Sequence, residues 1–111
     1  MNGLTWRRGH FRVLVRPPGE AGERPFEVSG VVAGPFGIYA SSPGFFRLVH
    51  TPTAVGLTTL KQQKQCKALA EELTTLRINW DATIPDEVRG PDTPHLRETI
   101  NRADRAAYPV P

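Results

Sequence analysis

Apolar and polar residues alternate cleanly over "HFRVLVRP". Phe11, Val13 and Val15 point one way, and Arg12, Leu14 and Arg16 the other. This period of two predicts a half-buried strand, stopped by Pro17-Pro18-Gly19. After the polar turn region "GEAGER", the stretch "PFEVSGVVA" resumes strand character. Phe26, Val28 and Val32 lie on one face of it, with Glu27, Ser29 and Val31 on the other. Two antiparallel strands joined by a loop are the simplest arrangement.

The stretch "GPFGIYASSPGFF" carries three Gly, two Pro and four aromatics. Proline cannot donate to a ladder, so Gly34-Pro35 is expected at an edge or a bulge, bending a strand that continues into "GIYAS". Ser42-Pro43-Gly44 reads as a tight turn, with Gly44 at a positive φ. "FFRLVH" follows as the next strand. The glycine spacing does not match a phosphate-binding loop.

"HTPTAVG" is expected to be a connecting loop. Thr59 and Gln62 make a capping-box pattern, and a helix is expected through about Leu76. Cys66, Leu69, Ala70, Leu73 and Leu76 fall on one face of it, while Lys61, Lys64 and Lys67 take the opposite side. "RINW" anchors the helix exit through Ile78 and Trp80. "DATIPDEVRGPDTP" has three prolines and few apolar residues, the composition of a loop or linker. Residues 94–107 form a thin amphipathic stripe of Leu96, Ile100, Ala103 and Ala107, capped by Thr93 with Pro94 in the first turn. The expected fold is α+β: a small antiparallel three-stranded sheet with one amphipathic helix on one face (βββα). Residues 1–84 would make that domain, and residues 85–111 a Pro-rich linker with an irregular, weakly helical C-terminal arm.

Length and composition narrow the class. At 111 residues the chain is one domain that needs neither disulfide nor metal to hold a core. Its single cysteine allows no internal disulfide. No stretch reads as a signal sequence or a membrane span, so a cytoplasmic protein with no membrane partner is expected. Residues 1–80 hold ten Lys/Arg against five Asp/Glu, and residues 81–111 four against six. A basic body with a mildly acidic tail suits an anionic partner.

Candidate chemistry is sparse. Cys66 sits centrally on the apolar helix face, where cysteine behaves as a small core residue. His10, His50 and His95 occur singly, without a ligand-spaced partner, so no metal or other cofactor is expected. The adjacent acids Glu71-Glu72 and Asp86-Glu87 lack anything to tune a catalytic pKa. An enzyme is not expected.

The row Lys61, Lys64, Lys67 lies near a helix N-terminus, whose dipole adds to the attraction for phosphate. "KQQKQCKALA" resembles the lysine-rich start of the last helix of double-stranded RNA-binding domains, with Lys64 and Lys67 at comparable places. It departs from that family in lacking a helix before the strands and in carrying Gln62, Gln63 and Gln65. Residues 11–80 also resemble small uncharacterised accessory proteins of phages and bacterial mobile elements. The shared features are the "GPFG" strand, a strand ending in "VHTPTAVG", a lysine-bearing helix ending in "LAEEL" and a short "NWD" close. The resemblance implies a non-enzymatic binder of nucleic acid or of host proteins, including inhibitors of host defence.

Trp6, Phe36 and Tyr39 have no evident core position, and near Arg7, Arg8 and Arg47 they could stack on bases or anchor a protein contact. The leading expectation is a binding protein for nucleic acid or a host nucleoprotein complex. Its contacts would be Lys61, Lys64, Lys67, Arg47, Arg7 and Arg8. The alternative is an anti-CRISPR-like inhibitor of a host defence protein, acting through Phe36, Tyr39 and Trp6 together with the C-terminal arm. A homodimer through an exposed sheet edge is the third.

Overall fold

A computed structural model describes residues 3–108. Five strands run in sequence order: β1 (Arg7–Val15), β2 (Arg24–Ala33), β3 (Phe36–Ser42), β4 (Phe45–His50) and β5 (Val55–Leu60). They form one antiparallel meander ordered β1-β2-β3-β4-β5. Helix α1 (Gln63–Leu73) follows, then a single 3-10 turn at Pro85–Glu87 and helix α2 (Thr93–Ala107).

The α+β class stands, but the three-stranded sheet with one helix is corrected to five strands and two helices. Two local features account for the difference. Gly34, at φ 52°, and Pro35 do not bend one strand. They are the two-residue link of a hairpin whose flanking residues Ala33 and Phe36 pair directly. The second feature is "VGLTTL", whose alternation is masked by small and polar residues. It pairs with β4 from His50↔Val55 to Phe46↔Leu60, with Leu57 as an extra residue where the register shifts. Because β5 runs to Leu60, Thr59 is a strand residue. The helix instead starts after Gln62, whose N–H donates to Gln65 Oε1 at 3.0 Å. The helix ends at Leu73, so Leu76 packs on the core from beyond it. The Pro43-Gly44 turn forms as expected, with Gly44 at φ 81°.

The sheet is sharply bent. β1 and β2 pair over nine positions, but β2 and β3 over only three, Val31 to Ala33. At the point of divergence stands Gly30, where a Cβ would lie 1.9 Å from the Ile38 carbonyl oxygen. Only glycine lets the two backbones approach so closely. The β1–β2 ribbon then folds over one face of β3–β5. The Phe11 ring covers Gly37, and the Leu14 N–H donates to the Ala54 carbonyl at 2.8 Å. Phe11, Val13 and Val49 form a small core on this concave side.

The larger core lies on the convex side, where Phe36, Ile38, Leu48 and Leu60 of the sheet meet Cys66, Leu69, Ala70 and Leu73 of α1. Ile100 and Ala107 of α2 belong to the same buried cluster. α2 is also tied to β5: Thr58 Oγ1 donates to the Asp104 carboxylate, and Tyr108 Oη donates to the Thr59 carbonyl at 2.8 Å. The proline-rich connection has a closed neck. The Arg77 N–H and guanidinium both donate to the Asp92 carboxylate at 2.8–3.2 Å, and the Asp92 N–H returns to the Arg77 carbonyl. Such a loop, ordered and with its ends together, places α2 on the core. No helix among the described residues is long and apolar enough to cross a membrane.

Candidate functional site

The lysine row divides at the start of α1. Lys61 lies in the bend before the helix, with Nζ 5.3 Å from the centre of the Tyr108 ring. Lys64 and Lys67 stand one turn apart on α1, away from the buried Cys66–Leu69–Leu73 stripe. Lys61 and Lys64 are exposed and Lys67 is half-buried. Among the described residues the ion pairs are Arg24–Glu20, Arg77–Asp92 and Arg102–Glu72. None of the three lysines has a carboxylate partner among them.

Strand alternation sends Arg7 and Arg8 to opposite sides of β1. Arg8 joins the lysines: with His10 it borders a shallow groove whose far wall includes Gln63, the first residue of α1. His10 is engaged there with the Ser29 hydroxyl at 3.0 Å. Arg7 instead lies beside Thr5 and the Gly34 turn. The basic face of α1 therefore gains Arg8 and does not include Arg7 or Arg47.

Arg47 faces the concave side. It pairs directly with Tyr39 on one neighbouring strand and Thr59 on the other. Its Nε donates to Thr59 Oγ1 at 3.4 Å, and its Nη1 to Tyr39 Oη at 3.5 Å. The arginine stem lies across Gly56, where a Cβ would come within 3.2 Å of Cδ. Arg47 thus lines a groove of about 330 Å³, closed on its other side by Leu14 and Glu23 of the β1–β2 ribbon.

The expected aromatic edge dissolves. Phe36 is fully buried, packed edge-on against Trp80 at 5.2 Å and His50 at 6.4 Å. It faces the convex core because α1 and the Trp80 turn cover that side of β3, so it offers no surface to a partner. Trp6 is half-buried against the same core, its indole N–H enclosed and unpartnered. Tyr39 stays half-exposed, edge-on to Phe11 at 6.1 Å. The exposed aromatics among the described residues are Phe26 and Phe45. The sequence shows both, but their exposure follows from hairpin ends that alternation alone does not locate.

The two titratable side chains enclosed in the core, Cys66 and His50, each meet a backbone carbonyl. Burial pushes the Cys66 thiol up to about 11, and its Sγ lies 3.6 Å from the Phe46 carbonyl. No hydrogen bond joins it to His50. His50 Nε2 donates to the Trp80 carbonyl at 2.6 Å, and Nδ1 lies 2.8 Å from Thr53 Oγ1. Burial holds the His50 pKa below its usual value, against the opposing effects of the Trp80 carbonyl and Asp81. No three His, Cys, Asp or Glu side chains come together among the described residues. No family model, curated protein or solved structure matches the chain.

Proposed function

We propose that the protein is a non-enzymatic binding protein of a mobile genetic element. It engages nucleic acid, or a host nucleic-acid-containing complex, through the basic face of α1. The observation that carries this reading is the placement of Lys61, Lys64 and Lys67 around the helix N-terminus without a carboxylate partner among the described residues. Lys64, the cation in the first turn, opposes the helix dipole and does nothing for helix stability. The first turn holds no acid to offset it. Together with Arg8 the three lysines concentrate positive charge on one convex face, suited to a row of phosphates.

The test is binding of the triple Lys→Gln variant across a salt titration. Removing a lysine that touches a phosphate flattens the salt dependence by about one unit of slope. Wild-type affinity with an unchanged slope would remove the helix face. The alternative is then a protein–protein inhibitor of a host defence system. With Phe36 internal, that alternative rests on Tyr39 and the exposed Phe26 and Phe45.

A further inference from the structure

We infer that the concave groove around Arg47 is a second contact, one that takes a nucleotide unit of a single strand. The inference rests on the nucleic-acid reading above but uses a different face and different residues.

Arg47 is half-buried, and its guanidinium is steadied only by the neutral oxygens of Thr59 and Tyr39. No carboxylate lies within ion-pairing distance of it among the described residues. An arginine held in place by neutral groups keeps its full charge for an incoming anion, and its remaining N–H donors match two phosphate oxygens. Phe45 precedes Arg47 by two residues and projects on the same side of β4. At 38% exposure, it is an aromatic face left open to solvent two residues along the strand from Arg47. Tyr39 is a second aromatic beside the guanidinium, joined to Arg47 through its hydroxyl.

An arginine with an exposed aromatic ring beside it on the strand is an arrangement that binds single strands, with phosphate on the cation and the base stacked on the ring. In a duplex the bases are stacked on one another and cannot enter. Glu23 on the opposite wall repels a phosphate but accepts a hydrogen bond from a base amino group. It therefore orients the nucleotide with its phosphate toward Arg47 and its base edge toward Glu23. The convex face of α1 has no exposed aromatic among the described residues, so the two faces divide the work: backbone charge on one, unstacked bases on the other.

The experiment measures binding of labelled single strands of about ten nucleotides, DNA and RNA separately, and of a matched duplex. The proteins are wild type, Phe45→Ala, Arg47→Gln and the triple Lys→Gln variant. Phe45→Ala and Arg47→Gln are expected to weaken single-strand binding about tenfold or more while leaving duplex binding unchanged. Phe45 is exposed, so its variant folds and decides the matter even if Arg47→Gln does not. Single-strand affinity unchanged in Phe45→Ala overturns the groove. So does duplex binding with no single-strand binding by the wild type, an outcome that leaves the helix reading standing. Failure of the wild type to bind either form removes both.

Discussion

The imidazole of His50 bonds the carbonyl of Trp80 at 2.6 Å, joining the end of β4 to a turn thirty residues further along. A carbonyl only accepts, so Nε2 carries the proton. In the neutral ring Nδ1 is then the acceptor, and the Thr53 hydroxyl donates to it. Both nitrogens are satisfied by a ring that burial keeps neutral.

This fixes the sign of a pH effect. The folded-state pKa lies below the ordinary 6.5, so the unfolded chain binds the proton first as pH falls. The stabilisation is full above 6.5 and is lost progressively as pH drops toward the folded value. Unfolding by urea between about pH 7 and pH 5 should show this decline in wild type and a flatter profile in His50→Gln. His50→Ala should cost about 2–4 kcal/mol, since it empties a packed site and leaves the Trp80 carbonyl unpaired. An identical pH profile in the glutamine variant would mean that His50 is not the titrating group.

Cys66 should not react in the folded protein. Its side chain is fully enclosed, and a thiol raised to about 11 holds almost no thiolate near neutral pH. A thiol reagent added at about pH 8 is expected to label the chain only in denaturant. Rapid labelling of the native protein would place Cys66 at the surface.

Removing α2 should destabilise the rest. Truncation after residue 84 uncovers the core surface beneath Ile100 and Ala107 and strips Thr58 and Thr59 of their partners at Asp104 and Tyr108. The burial of one large aliphatic side chain and its neighbours represents roughly 3 kcal/mol or more. The expected outcome is a lower melting temperature and a weaker thermal transition by circular dichroism. An unchanged melting temperature would establish residues 1–84 as a domain that folds alone.

Gly30→Ala should be far more damaging than its single methyl group suggests. The clash is with backbone, at 1.9 Å from the Ile38 oxygen, and neither strand has a rotamer to yield. Loss of several kcal/mol, or of folding altogether, is expected. Gly22→Ala, with nothing within 4 Å, is the control and should be near neutral. Equal stability of the two variants would contradict the close crossing at Gly30.

Local periodicity reveals some of these elements, and remote neighbours decide the others. Phe11, Val13 and the Cys66–Leu69–Leu73 stripe are legible because each obeys the period of its own element. The strand Val55–Leu60 is hidden because it has only three large apolar side chains, two of them half-buried. Gly34-Pro35 is ambiguous because a bulge and a hairpin link draw on the same residues, and only the Ala33↔Phe36 pairing separates them. The Tyr39–Arg47–Thr59 row is invisible for another reason. It is a product of register across three strands, set partly by irregularities at Ser41 and Leu57 that no local pattern announces.

The Arg77–Asp92 clasp has a consequence for how the chain can vary. The carboxylate, held down to about 2 by the arginine, stays ionised throughout the physiological range and keeps the neck shut. α2 is therefore anchored to the exit of α1 across that neck, and the intervening residues are a ring hung from it. The exposed tip around Ile84 and Asp86 makes only local backbone hydrogen bonds and none to α2. Length added there enlarges the ring at a small cost in closure entropy, about 0.6 kcal/mol per doubling. The protein thus carries an insertion point beside its core at which new sequence can be sampled without moving either helix.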